Sequence, residues 1–233
     1  MNIAFCLRGQ PRTFNNIHVQ NTLKHFIDYI CRISSKAHGI YYMNVTDVTV
    51  PVSNMIIENS INSADQSNHY SAKWLTDLNE FTEKISSLLV NYTLQTYSNA
   101  NLNLNIPADL QKDSNVSLMI QFEQVKQIKQ LINIYEDEHN ILFDYIVVTR
   151  PDLLYDICML PSITFTPDTV ITCRDFTQIY PRSIFETVCG YDQYNIAKSI
   201  LPRGLMDSWY MHKLCKDRPT VNHHDIPFSK LFR

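Results

Sequence analysis

Glycine is scarce in this sequence, with four residues in 233. Loops of the GxGxxG and Walker types need several closely spaced glycines so that backbone can approach phosphates, and neither pattern occurs. Blocks of basic residues are also missing. Lys and Arg are scattered, the formal net charge is -3 and the pI is near 6.2, which excludes a global field for non-specific nucleic-acid binding and leaves any phosphate recognition to local groups. No stretch approaches the roughly 20 apolar residues of a membrane span. The apolar run in MNIAFCLRG is too short for a secretory leader, so a cytoplasmic chain is expected. The six cysteines, at 6, 31, 158, 173, 189 and 215, form no CxxC pair and no tight Cys/His spacing of the zinc type. Cys6, Cys158 and Cys173 lie among apolar residues and are expected to be reduced and buried. Sequons at Asn44, Asn91 and Asn115 carry no meaning without secretion.

What is present is a 45% hydrophobic chain, enough for a substantial core in one large or two small domains. Tyr145 to Thr149 is a β-branched and aromatic run suited to a strand buried on both faces. It halts at Arg150-Pro151-Asp152, because proline fixes its own φ and biases the preceding residue toward extended backbone. An arginine and an aspartate are thereby delivered to the carboxyl end of a central strand, the edge where open α/β sheets bind ligands. The same pair also suits a simple loop salt bridge.

Ile3 to Leu7 is a second buried-strand candidate, running into Arg8-Gly9-Gln10-Pro11-Arg12-Thr13. Phe14, Ile17, Leu23, Phe26, Ile27, Ile30 and Ile33 share a helical face, which makes Thr13 a plausible N-cap. Arg8 and Arg12 therefore flank a tight turn at a helix amino terminus, a place that favours an anion. A capped helix with two solvated arginines explains the same residues.

Gly39 to Val45, Met55 to Ile57, Val170 to Cys173 and Thr187 to Gly190 read as further short strands. Lys73 to Val90, Asn195 to Leu201 and Met206 to Cys215 read as helices. Ser114 to Asp137 is the strongest helix, with Leu118, Phe122, Val125, Ile128, Ile132 and Tyr135 as its core stripe. Asn91 to Lys112, polar and asparagine-rich, reads as a mobile excursion, a lid or an acceptor-side loop. His223, His224 and Asp225 are adjacent on an extended segment, so at most two of them can face one ion.

The segments IAFCLRGQPRTF, SLMIQFEQVKQIKQLINIYEDE, FDYIVVTRPDLLYD and CGYDQYNIAKS together resemble a group of GT-A-type glycosyltransferases from bacterial polysaccharide loci and large DNA viruses. That resemblance implies an α/β fold, a single-domain three-layer α/β/α sandwich with a mostly parallel central sheet. Residues 1–150 would form the nucleotide-sugar half and 151–233 the acceptor half. It implies that Gly9, Gln10, Pro11 and Arg12 meet the nucleotide and that Asp152 stands near the place of the metal-binding Asp-x-Asp motif. Position 150 is Arg where the commoner pattern has Asp. Either Asp152 holds Mn²⁺ or Mg²⁺ with the diphosphate oxygens, or Arg150 neutralises the diphosphate itself.

The implied reaction moves a sugar from a nucleoside-diphosphate sugar to a glycan or other hydroxyl acceptor. An inverting course needs a base for the acceptor hydroxyl. Asp192, placed after the expected 187–190 strand, is the first candidate and Asp175 the second; Asp192 is equally suited to cap a helix from Asn195. Tyr191 and Tyr194 suit sugar stacking or plain packing. The alternative is a catalytically inactive relative that binds a glycan or a partner enzyme. A nucleotidyltransferase is disfavoured, because its first strand normally leads into a glycine-rich loop and only Gly9 is there.

Overall fold

The structure is a computed structural model that describes residues 1–9, 16–34, 36–44, 80, 83, 88–97, 113–173, 177–192 and 213–231. Strand β1 (Asn2–Gly9) lies at its centre, with Ile3, Ala4, Phe5 and Cys6 fully excluded from solvent. It pairs in parallel with β2 (Lys36–Asn44) on one side and β4 (Tyr145–Thr149) on the other. Both neighbours cover its edges, which is why an uninterrupted apolar run suits it. With β3 (Tyr92–Tyr97), β6 (Thr169–Cys173), β7 (Thr177–Pro181) and β8 (Asn222–Asp225) these make a seven-stranded sheet of order β3-β2-β1-β4-β7-β6-β8. β7 runs against both neighbours and the other described pairings are parallel. The sheet is continuous across the two halves of the sequence.

Alternation of side chains along each strand gives the sheet two apolar faces. Ile3, Phe5, Leu7 and Val147 pack under helix α1 (Ile17–Ile33) through Leu23, Phe26, Ile27 and Ile30. Ala4, Cys6, Ile146 and Val148 pack under α2 (Asp113–His139) and α3 (Arg182–Cys189), through Phe122, Val125, Ile128, Ile184 and Phe185. The result is the expected α/β/α layering around a mostly parallel sheet. Each Val, Leu, Ile or Phe side chain among them contributes about 1.5–3 kcal/mol by leaving water.

A second, two-stranded sheet pairs β5 (Leu153–Tyr155) antiparallel to β9 (Ser229–Leu231). Phe26 stacks on Tyr155 at 4.5 Å between ring centroids and meets Phe228 at 5.7 Å. These rings fasten the carboxyl-terminal segment to α1, beside the Arg150-Pro151-Asp152 corner.

Several expectations are corrected. Helix α1 is capped by Asn16, whose side chain accepts from the His18 N–H at 2.9 Å, rather than by Thr13; a cap of this kind is worth about 1 kcal/mol. Ile17 and Ile33 are exposed, since Val19 rather than either of them completes the buried stripe. Thr187 to Gly190 belongs to α3 and its carboxyl-terminal turn, because Ile184, Phe185 and Val188 share a helical face against the sheet and that packing overrides local β propensity. Tyr92–Tyr97, expected within an irregular excursion, is the parallel edge strand β3; its outward side chains face solvent, which hides the strand pattern. Gly39 permits that pairing, since a Cβ there would stand 2.9 Å from the Tyr92 Cβ. Cys158 is exposed, whereas Cys6 and Cys173 are buried.

The helix expected over 73–90 lies mostly outside the described residues, although Glu80 and Glu83 are helical and 88–90 form a turn. Met55 to Ile57, Asn195 to Leu201 and most of 206–215 also lie outside them. No described helix is long and apolar enough to cross a membrane.

Candidate functional site

At the carboxyl edge of the parallel strands, β1 closes with Arg8 and Gly9. Gly9 has φ 99°, in the left-handed region where a side chain is strained, so the chain leaves the sheet at the residue best able to turn there. Leu7 is the last β1 residue in register with β4, opposite Thr149. Alternation places Arg8 on the α2 side with Cys6.

Arg8 is 2% exposed. Its Nη1 donates to Gln124 Oε1 at 2.9 Å, and Gln124 Nε2 donates to the Tyr97 hydroxyl at 2.5 Å. The Tyr97 ring stacks on Tyr42 with centroids 4.2 Å apart. Burial, followed by the charge of Glu123, pushes the Tyr42 hydroxyl up to about 12. A buried guanidinium is thus gripped from α2 and backed by two aromatic strand residues. Arg8's bond to Gln124 fixes the orientation of its guanidinium.

The second arginine is held differently. Arg150 Nε donates to Asp152 Oδ1 at 2.8 Å and Nη2 donates to Oδ2 at 2.6 Å, a two-pronged ion pair with Asp152 3% exposed. The salt-bridge reading of the RPD corner is therefore the observed geometry. Behind it runs a buried chain of hydroxyls: Thr149 Oγ1 lies 2.5 Å from the Tyr155 hydroxyl and 2.7 Å from Thr177 Oγ1, which lies 3.3 Å from Ser229 Oγ. The Tyr155 hydroxyl also donates to the Arg150 carbonyl at 3.4 Å. Burial raises the Tyr155 hydroxyl well above its usual range, so it stays protonated and able to donate.

On the α2 side of the sheet, Gln178 on β7 lies in register with Val148 and Thr172. It is 2% exposed, and its Nε2 is buried with no partner. Thr172 Oγ1 lies 2.8 Å from His223 Nε2 and 3.5 Å from Asp225 Oδ1. His223 and Asp225 share one face of β8, as extended backbone requires, with His224 on the other.

Of the residues expected at the site, the structure brings Arg8, Gly9, Arg150 and Asp152 to two adjacent strand ends. Asp192 is exposed, two residues past the end of Gly190, and follows a helix rather than a strand. Tyr191 packs partly against the core, with Lys213 Nζ 5.3 Å from its ring centroid. Gln10, Arg12, Thr13, Asp175 and Tyr194 lie outside the described residues. Gln124, Tyr97 and Gln178 escaped the sequence reading. Gln124 sits one position from the core stripe residue Val125, and nothing in its neighbourhood announces a partner 116 residues away.

The described residues at this corner do not fit a divalent cation. Both oxygens of Asp152 are taken by a guanidinium, which a metal would have to displace or oppose, and no group of three or more His, Cys, Asp or Glu side chains suited to a metal exists among the described residues. A wide groove of about 970 Å³ lies elsewhere, among Asn2, Asn133, Asp137, Asn140 and Leu142 at the amino edge of the sheet. That edge is opposite to the one where α/β sheets place ligands.

No family model matches the chain, and no curated protein matches it. Among solved structures it is similar to the galactosyltransferase LgtC in complex with donor and acceptor sugar analogs, at 8% identity and a TM-score of 0.40, covering 96% of this chain and 73% of that one. An active-site mutant of LgtC gives the same identity and TM-score over 96% and 72% of the two chains. The nucleoside-diphosphate-sugar pyrophosphorylase from Vibrio cholerae RC9 is also similar, at 8% identity and a TM-score of 0.40 over 99% of this chain and 95% of that one. Likenesses at this level carry no functional inference, so what the chain does has to be read from its own residues. They define an open, mostly parallel α/β protein with two braced arginines at the carboxyl edge of its central strands.

Proposed function

We propose that this chain is a nucleotide-sugar-dependent glycosyltransferase of GT-A type, in which the diphosphate of the donor lies against Arg8 and Arg150. The observation that carries the reading is the pair itself: a buried guanidinium and a half-buried one at the carboxyl ends of adjacent strands, each oriented by its own side-chain partner, at the edge where such sheets bind ligands. Gln10, Arg12 and Thr13 would continue that cradle toward the nucleotide. Residues 1–150 supply this half and 151–233 the acceptor half.

In the reaction the acceptor hydroxyl oxygen forms a bond to the anomeric carbon. The bond from that carbon to the diphosphate oxygen breaks, and its electron pair leaves with the nucleoside diphosphate. Fixed guanidinium groups stabilise the charge that develops on the leaving oxygen, and they do so best when they need no reorganisation at the moment of reaction. The hydroxyl proton passes to a carboxylate in an inverting course, with Asp192 as first choice and Asp175 as second.

Thermal unfolding with UDP and GDP tests the reading. At about 100 times Kd a ligand adds about 2.7 kcal/mol, a rise of roughly 5–10 °C for a chain of this size. Arg8→Met should abolish the rise. No rise with any nucleoside diphosphate or its sugar conjugates at millimolar concentration would refute the proposal.

A further inference from the structure

We infer that the chain carries a pocket for a single neutral sugar residue, set between α1 and the two-stranded sheet. The pocket is distinct from the arginine corner, so it stands whether or not the chain uses a nucleotide sugar.

Its volume is about 260 Å³, and it is lined by Thr22 of α1, by Leu154 and Tyr155 of β5 with the following Asp156, and by Pro227 and Ser229 at the entry to β9. Local geometry brings these residues together. Tyr155 and Ser229 are directly paired in the antiparallel ladder, so their side chains share one face of the small sheet. That face meets α1, because Phe26 stacks on Tyr155 with ring centroids 4.5 Å apart and lies 5.7 Å from Phe228. Thr22 stands one helical turn before Phe26, on the same side of α1. Asp156 is drawn alongside by its backbone N–H, which donates to the Phe228 carbonyl at 2.8 Å. Short hydroxyl side chains at 22 and 229, in place of larger apolar ones that would fill the gap, leave the space open.

The walls select a ligand by what they can accept. The Thr22 hydroxyl donates its hydrogen to the Val19 carbonyl at 3.2 Å, which leaves its lone pairs to accept. Asp156 Oδ1 accepts from the Cys158 N–H at 3.0 Å, and the carboxylate has further lone pairs. Ser229 Oγ, 3.3 Å from Thr177 Oγ1, can accept from a ligand while donating inward. None of the lining residues is basic, so a phosphate or an acidic sugar would meet Asp156 with no compensating charge. The pocket therefore calls for a molecule rich in hydrogen donors and without negative charge. Leu154, Pro227 and Tyr155 set apolar surface beside the acceptors. A sugar ring meets both demands, since its hydroxyls donate around the rim while its C–H faces lie on apolar and aromatic side chains. Pockets for drug-sized ligands measure about 300–1,000 Å³, so this smaller one takes a single ring, free or at the end of a glycan.

The test is saturation-transfer NMR on the full chain with glucose, galactose, mannose, N-acetylglucosamine and xylose, run beside glucose 6-phosphate and choline. At least one neutral sugar should give saturable transfer with a Kd in the millimolar range, the affinity of a ligand of about a dozen heavy atoms. Glucose 6-phosphate and choline should bind at least about tenfold more weakly, the first by charge repulsion and the second for want of hydroxyls to match the acceptors. Thr22→Leu, which fills the pocket from a half-buried helix position, should weaken the sugar at least about tenfold, whereas Thr22→Ser should stay within about twofold of the wild type. Asp156→Ala, at an exposed position, should weaken it about tenfold and carries the test if Thr22→Leu melts out at the working temperature. No saturable transfer from any of these sugars at tens of millimolar, transfer that Thr22→Leu and Asp156→Ala leave unchanged, or a preference for choline or glucose 6-phosphate would overturn the inference. Each of those results leaves the nucleotide reading standing, because UDP and GDP are tested separately at the arginine corner.

Discussion

Replacing Gln124 separates what holds Arg8 from what Arg8 does. Gln124→Met conserves volume, so no cavity arises, but it removes the acceptor 2.9 Å from Arg8 Nη1 and the donor 2.5 Å from the Tyr97 hydroxyl. A hydrogen bond to a charged group is worth about 1.5–3 kcal/mol and a neutral one about 1 kcal/mol. Arg8 is 2% exposed and Gln124 5%, so water replaces neither bond readily, and a loss of about 3 kcal/mol is expected. That corresponds to a fall in Tm of roughly 6–12 °C, with an unchanged denaturant slope in urea. Gln124→Glu should behave oppositely at neutral pH, because its carboxylate forms an ion pair with Arg8. The folded-state pKa of that Glu would lie below its unfolded value of about 4.3, so its stabilisation is present above that value and is lost as pH falls through the folded pKa. A Met variant that melts within about 1 °C of the wild type, against the several degrees expected, would refute the claim that Gln124 holds Arg8.

Arg182 donates to both oxygens of Glu136, at 3.0 and 2.8 Å, and to Glu186, which Lys129 also contacts, so it ties α3 to α2. Arg182→Leu leaves Glu136 as a buried carboxylate without its ion-pair partner and should cost about 3 kcal/mol in urea unfolding, as for other broken buried pairs. His38 is 4% exposed, its Nδ1 lies 2.9 Å from the Tyr135 hydroxyl and its Nε2 is buried without a partner. Burial, then the charges of His139 and Lys36, lowers its pKa below the usual 6.5. The unfolded chain therefore takes up the proton first, so stability is full above about 6.5 and declines as pH falls through that value toward the folded pKa. His38→Gln should flatten the stability profile between about pH 5 and 7, and an unchanged slope in urea unfolding across that range would contradict the assignment.

The parts of the fold legible in the sequence are those where packing and local preference agree. Tyr145 to Thr149 is buried at all five positions, and Ile3 to Leu7 likewise, so continuous apolar runs announced them. The stripe of α2 from Phe122 to Tyr135 is core for the same reason. Disagreement between the two levels hid the rest. Thr187 and Val188 favour strands in isolation but ride on a helix whose apolar face is set by Ile184 and Phe185. The outer side chains of β3 meet water at the sheet edge, which removes the alternation that marks a strand. At the site, proline after Arg150 and glycine after Arg8 disclosed where two strands end. The clamp itself was half visible, because Arg150 and Asp152 are two residues apart. The grip on Arg8 was invisible, because Gln124 and Tyr97 reach it only through the folded sheet.

The most direct measurement is a crystal structure of the full chain with UDP or GDP bound. The account predicts diphosphate oxygens within about 3 Å of guanidinium nitrogens of both Arg8 and Arg150, at the ends of β1 and β4, with Asp152 still clasped to Arg150. A nucleotide bound away from these two residues, for instance in the groove beside Asn133 and Asn140 at the amino edge of the sheet, would contradict it.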